Sequence, residues 1–177
     1  MLLSILVSGT ATMLATLVGL PLALVIALRD FKGRWVIRNV FNALIGIPTV
    51  ALGFILVILL ARAGPLGFLN LLFTPAGMAI GEAILVTPLV VSFTASALES
   101  VDPEIKHLAR TLGASEGQTS LAVLGEAKKG IILAILASFN RAIAELGVAW
   151  MVGGNILGYT RVMTTAWAPG LRCRWWD

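Results

Sequence analysis

The 177-residue chain has one cysteine, Cys173, and one histidine, His107, and Asp, Glu, Lys and Arg together occupy only 12% of its positions. One cysteine excludes a disulfide framework, and with one histidine it leaves no set of soft ligands for a metal. The low charge excludes a soluble globular domain, where about a quarter of residues are charged. Disorder is excluded by the long apolar runs that fill most of the sequence. No Ser/His nucleophile set and no His/Asp/Glu constellation suggest a catalytic centre. What is present is hydrophobic: 58% of residues, with a mean hydropathy of +0.95. A chain of this composition belongs in a bilayer.

A membrane-crossing helix needs about 20 mostly apolar residues. Four stretches meet that length, at about 2–28, 40–61, 76–98 and 131–152. The first two carry no charge, the third carries Glu82, and the fourth carries Arg141 and Glu145. Helix is the only reading, because lipid offers no partner to free backbone groups and the alternation of a barrel strand is missing. The first stretch is too long for a cleaved signal peptide. Pro21, Pro48 and Pro88 fall inside these spans, and Gly77 and Gly81 open the third with a surface for close helix packing.

Arg29, Lys32, Arg34 and Arg38 lie between the first two spans, and Lys106, Arg110, Lys128 and Lys129 between the last two. The alternate connections offer Arg62 and Arg161. Bilayers retain Lys and Arg on the cytoplasmic side, so this asymmetry places both basic loops inside and the N-terminus outside. The basic residues do not gather on one solvated face, so nucleic acid is not an expected partner.

The loop 99–130 is far longer than a connector requires. Asp102, Pro103 and Glu104 read as an N-cap, a first-turn proline and an acid on the helix dipole. Ile105, Leu108, Ala109 and Leu112 then recur with helical spacing, leaving Glu104, Lys106 and Arg110 outward, until Gly113 ends the helix. Ser115 to Gln118 carry a capping-box pattern that starts a second helix, expected to run to about Leu124. The loop is thus two short helices around a glycine elbow, an amphipathic knob offered to a cytosolic partner; a solvated loop is the alternative.

The stretch His107-Leu108-Ala109-Arg110-Thr111-Leu112-Gly113 resembles the EAA loop of the membrane subunits of bacterial ABC importers, with His107 and Leu108 in place of the usual acid and first alanine. Residues 124–128, 8–12, 19–22, 64–69, 72–75, 141–147, 151–155 and 164–166 are similar to tungstate-type permeases within that superfamily. The resemblance covers residues 2 to about 166 and implies an all-α membrane protein, a polytopic helix bundle of the ABC importer permease (MetI-like) type. It also implies a second copy of the permease, a cytosolic ABC ATPase dimer below and an extracytoplasmic substrate-binding protein above. It implies a multi-pass protein of a bacterial or archaeal plasma membrane, and a coupling helix formed by Glu104, His107, Leu108, Ala109, Arg110, Leu112 and Gly113. The cargo would be an oxyanion, tungstate or molybdate, or another anion or small solute. No cofactor is implied, and no ATP hydrolysis, since the chain has no phosphate loop: Gly125 and Gly130 have its glycine spacing, but Ile131 follows where the lysine would stand.

Arg141 and Glu145, four residues apart, are candidates for the translocation pathway or for a structural ion pair, and Glu82 for the pathway or for pairing with another span. After residue 166 the character changes. The segment 167–177 is rich in Trp and Arg and resembles no family segment; either it is an out-of-frame or truncated end that lacks the last family span, or it is an interfacial anchor. On the first reading the chain would be a membrane scaffold that moves nothing.

Overall fold

The computed structural model describes residues 1–29 and 31–166, and every regular element among them is helical. Seven α-helices follow in chain order: α1 Leu2–Leu28, α2 Arg34–Leu44, α3 Thr49–Leu60, α4 Pro75–Glu99, α5 Pro103–Thr111, α6 Glu116–Ile143 and α7 Gly147–Gly153. A short 3₁₀ turn, Gly67–Leu69, precedes α4. The tail 167–177 lies outside the described residues.

Helices α1 and α4 form the centre and run parallel. The buried side of α1 is almost entirely small, with Ser4, Ser8, Ala11, Thr12, Ala15, Gly19, Ala23 and Ala27 repeating at helical spacing. Small side chains let two backbones approach closely, the usual means of association where lipid gives no hydrophobic drive. At Gly19 a Cβ would lie 2.9 Å from Val90 Cγ1. Outward-facing Leu6, Met13, Leu17 and Val18 remain exposed, as a face turned to lipid or another protein would be. Pro21 and Pro88 sit inside α1 and α4 without ending either helix.

Helix α6 runs antiparallel to α4. Ala95, Leu98, Val123, Ala127 and Ile131 share one buried cluster with Ala23 and Ile26 of α1. Gly130 of α6 faces Ala97, where an added Cβ would come within 2.6 Å of the alanine Cβ.

Three of the expected elements differ from the sequence reading. Residues 40–61, read as one span, fall on α2 and α3, which meet at 96°. Proline disfavours helical backbone in the residue before it and clashes with the preceding turn, so the helix stops at Leu44 and a new one starts at Thr49, with Pro48 as its extended N-cap. Pro48 therefore marks a corner and does not lie within a helix. The second loop helix, expected to end near Leu124, continues unbroken to Ile143. Gly125 costs a helix interior only about 1 kcal/mol, too little to end one held by tertiary packing. The run 131–152 is interrupted after α6, and α7 leaves at 54°. Two helices, α1 and α4, are long and apolar enough to cross a membrane, and two more spans result if each bent pair counts as one.

Candidate coupling helix and membrane-embedded charges

The ends of α1 and α4, all of α2 and α5, and the first half of α6, with the links between them, carry the eight basic residues of the two basic loops, while Arg62 and Arg161 lie on the alternate connections. Here α5 is built by local signals. Asp102 accepts a hydrogen bond from the Glu104 amide at 2.9 Å, and Pro103 occupies the first turn. At the other end Gly113 has φ +81°, its N–H donates to Arg110 O, and the Ala114 N–H reaches back to Ala109 O. That pair of bonds is a Schellman closure, which needs a residue able to adopt left-handed backbone. Across the elbow, the Gln118 amide donates to Ser115 Oγ and the Ser115 amide donates to Gln118 Oε1, so α6 begins with a complete capping box.

The apolar residues of α5 divide. Ile105 packs against the main buried cluster, and Ala109 is half-buried. Leu108 and Leu112 do not join them: they are 62% and 79% exposed. Helical spacing alone assigned all four to one inward face; the close seating of α5 on α6 leaves room only for the first row. Glu104, His107, Arg110 and Gly113 are exposed beside the two leucines. A groove of about 240 Å³ under the helix is lined by Val101, Ile105, Glu126, Ala127 and Gly130, among others.

Arg34 and Arg38 of α2 converge on Glu99, the last residue of α4. Arg34 Nη2 lies 2.8 Å from Glu99 Oε1 and also donates to Ala27 O, while Arg38 Nη1 bonds Glu99 Oε2. The sequence places Arg34 and Arg38 only by membrane side and gives no reason to pair them with Glu99. The two arginines are one helical turn apart, a visible signal, but their partner lies more than sixty positions away.

The charges inside the bundle occupy its other half. Glu82, 2% exposed on α4, accepts a hydrogen bond from Ser8 Oγ of α1 at 3.1 Å. Arg141 Nη1 lies 2.6 Å from Glu145 Oε2. Although four residues apart, they do not share one helix, since α6 has ended at Ile143. Glu145 sits in the corner between α6 and α7, where its Oε1 accepts from the Val148 amide and its backbone carbonyl accepts from Thr164 Oγ1. One buried carboxylate thus neutralises an arginine and caps the next helix. Arg141 is partly open, its side chain 38% exposed, and keeps further donors available.

Beyond α7 the chain folds back on the helix starts. Thr160 Oγ1 donates to Gly153 O, Arg161 Nε donates to Asn155 Oδ1, and the Met163 amide donates to Ser4 Oγ. Gly147 touches the start of α3, where an added Cβ would lie 2.6 Å from Thr49 Oγ1. The two corners of the bundle are therefore in contact.

This geometry defines a polytopic helical membrane protein with an exposed helix at its basic pole and charged groups buried among its spans. The family model for the inner membrane component of binding-protein-dependent transport systems matches residues 19–168. A probable anion ABC transporter permease protein of Haloferax volcanii is 39% identical over 168 residues, 92% of this chain and 72% of that protein. The tungstate uptake system permease protein TupB of Peptoclostridium acidaminophilum is 39% identical over 164 residues, 93% and 72% of the two chains. The molybdenum transport system permease protein ModB of Escherichia coli is 28% identical over 173 residues, 93% and 76%. The chain belongs to the family of binding-protein-dependent transport system inner membrane components. It is accordingly a multi-pass inner-membrane transport component, like the permease proteins it resembles.

Proposed function

We propose that this chain forms the transmembrane pathway of an ABC importer for an oxyanion, tungstate first and molybdate second, as one of two permease copies. A separate cytosolic ATPase dimer supplies the energy and an extracytoplasmic binding protein delivers the anion. The observation that carries the reading is the exposed pair Leu108 and Leu112 on a helix closed by Gly113, in a chain 39% identical to a tungstate uptake permease. Two exposed leucines on a short, doubly capped helix make a rigid apolar knob suited to a groove in a partner. In this reading Glu104, His107, Leu108, Ala109, Arg110, Leu112 and Gly113 form the coupling surface, the basic pole faces the cytoplasm and the start of α1 lies outside.

An anion crossing a low-dielectric bundle needs compensating positive charge. Arg141 supplies it, with Glu145 tempering its field and Glu82 deepening the polar seam. The reading is tested by measuring tungstate and molybdate uptake into proteoliposomes that hold the permease, its co-purified ATPase and the binding protein. ATP-dependent uptake supports it, and its absence with a fully assembled complex overturns it. Arg141→Gln should abolish uptake at normal assembly; unchanged uptake with lower protein yield assigns Arg141 to helix packing alone. Leu112→Cys, in a chain carrying Cys173→Ser, should resist impermeant thiol reagents applied outside intact cells.

A further inference from the structure

We infer that Arg34, Arg38 and Glu99 act as positioning residues that tie α2 to the end of α4 and carry movement of α5 into the α2–α3 corner. Glu99 is the last residue of α4, and only Ser100, Val101 and Asp102 separate it from α5. Both of its carboxylate oxygens are taken by guanidinium groups from one helix, spaced a single turn apart. Two charge-assisted bonds from one helix to one carboxylate fix its orientation as well as its distance. The carboxylate is only 20% exposed, so water screens the contact less than it would a surface pair.

The contact lies on a continuous path. Helix α2 packs by Phe41 against the cluster that also takes Ile105 of α5, and it leads through the 96° corner into α3. Helix α3 rests on α7 through Leu56, Leu60, Val148 and Val152. A displacement of α5 thus has two exits, α6 directly and, through the Glu99 clamp, α2–α3, and both reach the neighbourhood of Glu145. Without Glu99, α2 loses both guanidinium–carboxylate bonds and is held chiefly by its apolar contacts and the longer bond from Arg34 to Ala27 O, which resist sliding less than the paired clamp does.

The inference rests on the transport reading above. It is tested with the reconstituted complex by counting oxyanions moved per ATP hydrolysed. Glu99→Gln should leave the ATPase bound and hydrolysing while uptake per ATP falls about fivefold, within the range seen when a coupling residue is altered. The charge-exchanged variant Glu99→Arg with Arg34→Glu and Arg38→Glu should regain at least half of it, which a role in packing alone would not allow. If Glu99→Gln does not accumulate, Arg38→Gln is measured in its place, with the same direction expected. Unchanged uptake per ATP in whichever of these two variants is measured overturns the clamp. Wild-type complex that hydrolyses ATP yet moves no oxyanion overturns the transport reading and not the clamp as such.

Discussion

The bundle turns two sharp corners in its apolar helices, and they are made differently. At residues 45–48 the corner is covalent: the ring of Pro48 and the helical restriction before it force the chain out of line. At residues 144–146 no proline is present, and the corner is held by contacts, with Glu145 bonded to Arg141, to the Val148 amide and through its carbonyl to Thr164. A corner favoured by the backbone leans less on its surroundings, although Pro21 and Pro88 show that proline alone does not make one. A corner made by contacts depends on its neighbours, and it is the one that contains the buried carboxylate Glu145.

The sharpest way to break this contrast is Glu145→Ala. It removes the charge-assisted bond to Arg141 and the cap at the start of α7, which together should cost about 3 kcal/mol and lower the thermal unfolding midpoint of the detergent-solubilised protein strongly. Glu145→Gln, still able to accept from the Val148 amide, should cost clearly less. Next in size is Gly147→Val, which drives a side chain into Thr49 and Val50 where the corners meet; overpacking of this kind costs about 2 kcal/mol, read in the same assay. Pro48→Ala should be milder in stability but visible in shape. Spin labels at positions 37 and 58 should move apart on the order of 5 Å as the covalent corner relaxes toward a straighter helix. Smallest is Ser115→Ala, which removes one arm of the capping box for about 1 kcal/mol and should raise amide exchange at residues 116–119 without altering either corner.

What could be read in the chain follows the range of the forces involved. The ends of α5 and the start of α6 are set by residues within four positions of one another, and Asp102, Pro103, Gly113, Ser115 and Gln118 all occupy the places their chemistry suits. The membrane class is equally legible, because it depends on composition alone. The corner at Pro48 was visible as a proline but not as a corner, since the flanking apolar run looks the same in a straight span. The end of α6 is misplaced in the sequence reading because Gly125 disfavours helix locally while contacts such as Gly130 on Ala97 hold the helix together. Periodicity gathered Leu108 and Leu112 with Ile105 but could not say which of them the bundle has room to cover. Arg141 and Glu145 were paired by spacing, yet the structure joins them across a helix end. Glu99 could not be matched to Arg34 and Arg38 at all, because that contact exists only once α2 lies against α4.

The length of α6 has a mechanical meaning of its own. Its 28 residues span about 42 Å at 1.5 Å per residue, with no proline and no joint from the Ser115 cap to the Glu145 corner. Such a piece behaves as a push-rod. Its first turn begins beside the exposed leucines and its last carries Arg141, the partner of Glu145, so one unbroken helix joins the two regions.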